Sequence, residues 1–133
     1  MEIKEFAQMI DGKQYGYPQF TKEEIQIAKD NGFVIVYGAS DDLMKFDGAI
    51  YEEAGCYDGG KVYFDKTGAV LDEEFENSKC IEALWCTDDI HDEKGGLITC
   101  TYKTDIHHET FMIYEEGGES YCRGIVFSIN DLN

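Results

Sequence analysis

Apolar residues first fall into register at Ile3, Phe6, Ala7 and Ile10, the i, i+3, i+4, i+7 spacing of one helix face. Gly12 follows, a residue suited to a left-handed exit. A polar and aromatic connector over 13–19 holds the chain's single proline, Pro18. A second helix is then punctuated at both ends. Thr21 can cap it, Glu24 three residues on completes a capping box, and Phe20 and Ile25 occupy the positions of a hydrophobic staple. Asn31-Gly32 supplies the exit.

From Phe33 the period shortens to that of strands. FVIVY (33–37) is β-branched and aromatic, and Gly38 ends it. Leu43 to Tyr51 reads as a strand interrupted at Gly48. Asp58-Gly59-Gly60 turns the chain into Lys61–Asp65, and Lys66-Thr67-Gly68 turns it again. Residues 72–79, DEEFENSK, read as a solvated loop or short helix. Ile81, Ala83 and Trp85 alternate on one strand face, and 87–96 read as an acidic loop. Ile98, Cys100 and Tyr102 alternate next, then Phe111 with Ile113. Glu115-Glu116-Gly117-Gly118 forms a hairpin turn into Tyr121–Ile129. The expectation is a single α+β domain over 1–133: two short N-terminal helices followed by a mainly antiparallel β-sheet, with the helices covering part of one face. No internal repeat and no domain boundary is evident.

Composition adds one strong constraint. With 43% hydrophobic residues the chain can fill a core, so it is not of the disordered class. Against that, 28 Asp and Glu oppose 11 Lys and Arg, a formal net charge of −17. Such a surface repels nucleic-acid phosphates and anionic membranes and attracts basic partners. Direct nucleic-acid binding and membrane binding are therefore not expected.

The five cysteines, Cys56, Cys80, Cys86, Cys100 and Cys122, form no C-x-x-C pair, which argues against a disulfide framework or a zinc ribbon. Cys86, Cys100 and Cys122 sit in apolar segments, where a thiol serves as a small hydrophobe. The acidic start MEIKEF lacks the basic and apolar regions of a signal peptide, and the longest apolar run is Phe33 to Tyr37. The expected compartment is the cytoplasm.

No motif specifies catalysis, a metal or a cofactor. His91 lies among Asp88, Asp89, Asp92 and Glu93, yet H-E-x-x-H and the calcium-loop pattern are absent. The adjacent His107 and His108 point to opposite sides of an extended segment. No catalytic residue, metal site or cofactor is assigned. Two polar clusters are the binding candidates. Ser40, Asp41 and Asp42 follow the strongest strand, where a rigid element delivers a loop. Lys103, Asp105, His108 and Glu109 combine with Arg123, the chain's only arginine. Arg123 shares a strand face with apolar residues, so it needs a carboxylate, with Asp105 and Glu109 as natural partners, or an anionic ligand.

GASDDLMKFDGAI (38–50), IEALWC (81–86), YKTDIHHETFMI (102–113) and YCRGIVFS (121–128) resemble a family of small acidic proteins of bacteriophages and prophages of Gram-positive bacteria. The chain departs from that pattern at His107, where the family has proline, which leaves His108 as the family-like histidine. The resemblance implies a phage accessory protein acting on host machinery, including antiviral defences such as CRISPR effectors. Three readings follow. The first is a non-enzymatic inhibitor that uses its acidic surface, in the manner of a DNA mimic, against a basic, nucleic-acid-binding host protein. The second is a sponge for a small nucleotide-like signal, and the third a small hydrolase. The oligomeric state stays open.

Overall fold

The computed structural model describes residues 1–14, 20–39, 42–46, 51–53, 60–71, 73–91, 95–114 and 120–133. Helix α1 spans Ile3–Met9 and α2 spans Lys22–Asn31, with the short strand β1 at Lys13–Gln14 between them. The remaining strands are β2 Phe33–Ala39, β3 Asp42–Phe46, β4 Tyr51–Glu53, β5 Lys61–Phe64, β6 Val70–Leu71, β7 Lys79–His91, β8 Leu97–Thr104, β9 Glu109–Tyr114 and β10 Ser120–Ser128. A 3₁₀ turn, Ile129–Leu132, follows.

This corrects the expected architecture. The described chain is mostly strand, and its two helices are not consecutive. Strand β1 separates them and pairs parallel with β9. The sheet is mixed, because β10 runs parallel to β8 while lying antiparallel to both β9 and β2. The order β4-β3-β2-β10-β8-β7-β5-β6 forms the main path, with β9 on β10 and β1 beyond it. Alternation in the sequence marks each strand but carries no information on which strand lies beside which.

Strand β10 organises this arrangement. One edge pairs with β9 over 121–126. The other edge pairs with β8 at Ser120, Tyr121 and Cys122, then with β2 from Ile125 to Ser128. It changes partner at Arg123-Gly124. A strand enclosed in this way is buried on both faces, and Gly124 through Phe127 is a continuous buried run. Gly124 itself is required by its cross-strand neighbour: a Cβ there would come within 2.2 Å of the Phe111 ring. Phe127 meets Phe64 edge-on with centroids 5.5 Å apart, and Phe6 of α1 meets Phe33 at 5.2 Å. Helix α1 packs on β9 and β10, and α2 on β2.

Two local readings change as well. Strand β7 continues to His91, so 87–91 is strand rather than acidic loop: beyond an irregularity after Trp85 the pairing resumes with Ile90 opposite Ile98 and His91 opposite Leu97. The segment expected as one interrupted strand also contributes two separate strands on either side of residues 47–50, which fall outside the described residues. Strands β3 and β4 pair antiparallel, Phe46 opposite Tyr51. The punctuation of α2 is present as expected, with reciprocal Thr21 and Glu24 hydrogen bonds at the start and Gly32 at φ 67° at the end. The turns expected at Asp58-Gly59 and at 115–118 fall outside the described residues.

Candidate functional site

The structure separates the cluster that sequence groups around Arg123. In the β9–β10 ladder Arg123 stands opposite Met112, and Glu109 opposite Val126. The register is unbroken between them, so the two side chains lie on opposite faces. Among the described residues no carboxylate stands within ion-pair distance of the guanidinium, and its Nε is buried without a hydrogen-bond partner. The Asp105 or Glu109 pairing is therefore not formed. On the Arg123 face, Tyr121 donates to the Tyr114 hydroxyl at 3.2 Å and the rings lie 4.4 Å apart.

His108 has a local structural role. Its Nδ1 donates to the Ile106 carbonyl at 2.7 Å, which fixes the ring against its own backbone. His107 is exposed.

Lys103 and Asp105 come together elsewhere. Lys61, Glu82 and Lys103 stand side by side across β5, β7 and β8, a row of alternating charge on one sheet face. With Cys80, Thr104 and Asp105 they line a shallow groove of about 180 Å³. Thr104 Oγ1 donates to the Cys80 carbonyl at 2.7 Å and accepts from the Ile106 N–H at 3.1 Å, closing the turn that leaves β8. Burial pushes the Cys80 thiol above its ordinary value. Lys61 opposes this, while Glu82 and Glu74 reinforce it. A thiol held protonated is a poor nucleophile.

Ser40 and Asp41 lie outside the described residues, and Asp42 is placed only as the start of β3, opposite Ala39. Among the described residues no three His, Cys, Asp or Glu converge on a point. His91 Nδ1 instead donates to the Gly95 carbonyl at 3.1 Å.

Residues 73–78, within the segment expected as a solvated loop or short helix, form a tight turn. Phe75 is 51% exposed although its backbone is tightly held. Ser78 N–H donates to the Phe75 carbonyl at 3.0 Å, and Ser78 Oγ donates to the same carbonyl at 2.7 Å. The Phe75 N–H donates back to Ser78 Oγ at 3.2 Å. Asn77 takes the left-handed φ of 69° that the tight turn requires. Beside the ring lies a hollow of about 370 Å³, bordered by Leu71, Glu76 and the Asp65–Lys66 corner. Glu73, Glu74 and Glu76 are exposed around it. The available signal was an aromatic inside a wholly polar octapeptide, where no core face exists to receive it.

No family model matches the chain, and no solved structure matches it. A curated protein is similar at a distance: the ferric uptake regulation protein of Vibrio vulnificus (strain CMCP6), 23% identical over 124 residues, 93% of this chain and 81% of that protein. Identity at that level does not place the chain in that protein's family.

Proposed function

We propose that the chain is a non-enzymatic binding protein that covers a basic surface on a protein of its bacterial host, in the cytoplasm, as an inhibitor carried by a phage or prophage. The observation that supports this reading is surface acidity left uncompensated. Glu2, Glu5, Glu23, Asp30, Glu73, Glu74 and Glu76 are exposed, and none forms an ion pair among the described residues. Charge of this density steers association with a positive surface and can take the place of nucleic-acid phosphates on it. A host component that binds nucleic acid, such as an antiviral effector, has the complementary sign. No helix among the described residues is long and apolar enough to cross a membrane. The test is affinity capture from a Gram-positive host, followed by identification of the captured protein and its association rate at rising salt. The reading requires a basic protein whose association slows steeply with salt and is competed by DNA.

A second reading, a sponge for a nucleotide-like signal, is favoured by one observation, the unpartnered Arg123 Nε. It is opposed by the separation of Arg123 from the groove of Lys61 and Lys103.

A further inference from the structure

We infer that the hollow beside Phe75 receives an arginine side chain from a basic partner, the guanidinium stacking on the Phe75 ring and pairing with the Glu76 carboxylate. The inference rests on the binding-protein reading and names its point of contact.

Three observations lead there. First, the ring is half in solvent while its backbone is pinned by three hydrogen bonds to Ser78, so the aromatic is displayed on a preformed turn. Little freedom remains to be lost on binding, which favours affinity. Second, the adjacent hollow of about 370 Å³ has apolar surface from Leu71 and Phe75. That combination suits a side chain with an aliphatic stem and a charged tip. Third, the sign of that tip follows from the balance of charge at the rim, where one cation, Lys66, stands against Asp65 and Glu76. Asp65 Oδ1 is already engaged by the N–H groups of Thr67 and Ala69 and by the Thr67 hydroxyl. Glu76 is exposed and makes no ion pair among the described residues, and Glu73 and Glu74 add field of the same sign.

Arginine suits this place better than lysine. Its planar guanidinium stacks on an aromatic face and pairs edge-on with a carboxylate, whereas an ammonium is a compact, strongly hydrated charge. Other occupants are disfavoured by charge. A second copy would bring another net −17 to the same rim, and nucleic acid or an anionic membrane would be repelled.

The test uses the full chain and two blocked nonapeptides of equal charge, one with three arginines and one with three lysines, followed by heteronuclear NMR titration. The arginine peptide is expected to shift the amide resonances of 71–78 and to bind several-fold more tightly than the lysine peptide. Phe75→Leu, which keeps an apolar side chain, is expected to lower that affinity about five-fold by removing the ring face. Glu76→Gln should lower it further, and Asp131→Asn on the C-terminal 3₁₀ turn, which does not border the hollow, should leave it unchanged. Equal binding of the two peptides with no effect of Phe75→Leu overturns the inference and leaves general acidity as the means of attraction. Absence of binding by either peptide, or a concentration-dependent self-association that occupies 71–78, overturns it as well. The capture experiment judges the binding-protein reading separately, because a salt-sensitive basic partner that ignores Phe75→Leu would retain that reading and remove only the arginine contact.

Discussion

Lys13 Nζ and Glu24 Oε1 stand 2.8 Å apart, and the same carboxylate oxygen accepts the Thr21 N–H at 2.8 Å. One atom therefore closes the capping box of α2 and ties that helix to β1, which reaches β9 through its parallel pairing. Glu24 is buried, and only 7% of its side chain is exposed against 19% for Lys13. The link is a partly buried one, less screened by salt than an exposed pair. Thr21→Ala should cost about 1 kcal/mol of stability as the loss of a cap. Glu24→Ala removes both the cap partner and the ion pair to Lys13, and should cost more, about 1–3 kcal/mol. Urea unfolding at two salt concentrations checks both. A loss below about 0.5 kcal/mol for Glu24→Ala would mean the tie does not hold the helix.

Gly124 should tolerate no side chain. Phe111 occupies the space of its Cβ at 2.2 Å, with a buried strand behind it. Gly124→Ala is expected to destabilise by about 1–3 kcal/mol through overpacking. Adding Phe111→Leu should recover part of that loss, because it removes the ring that clashes. Non-additivity in this double-mutant cycle is the measurement. Simple additivity would place the strain elsewhere.

Arg123→Met separates a structural from a ligand-holding arginine. The methionine keeps the length of the stem and removes a buried, unpartnered donor. Free protein stability should be unchanged or raised by about 1 kcal/mol. A thermal-shift series with phosphorylated nucleotides should show no ligand stabilisation in the parent protein. A nucleotide-dependent rise in Tm that Arg123→Met abolishes would restore the sponge reading.

Cys80 gives a pH signature. Its thiol is held above the ordinary value of 9.0 mainly by burial, so the folded state favours the protonated form more than the unfolded chain does. The resulting stability is present below the unfolded thiol's pKa and is lost as pH rises through the higher folded value. Relative to Cys80→Ala, the parent should lose stability faster above about pH 9. Alkylation of Cys80 should also lag a model thiol at pH 8, and faster-than-model labelling would contradict the raised value.

Recognition by charge predicts strong salt dependence. Raising ionic strength to the point where screening acts within about 8 Å should slow association with the captured partner steeply, with little change in dissociation. Neutralising Glu73, Glu74 and Glu76 to glutamine should do the same at low salt. A rate indifferent to salt leaves the acidity as a matter of solubility alone.

The amino-acid sequence by itself determined the features whose causes are local. The stripe from Ile3 to Ile10, the Thr21–Glu24 box and the Gly32 exit specify α1 and α2 within a few residues, because their hydrogen bonds close over three or four positions. Alternation at Ile81 and Ala83, and at Phe111 and Ile113, identified inward faces for the same reason. Tertiary structure decided everything that depends on which distant strands meet. It set β10 parallel to β8, carried β7 on to His91, brought Lys13 to Glu24 and kept Arg123 off the face of Glu109. A side chain's partner across a sheet is fixed by register and strand order, which the period-two pattern leaves free. Phe75 belongs to the second kind: its residue type was legible, but its exposure on a pinned turn depends on the neighbours that do not cover it.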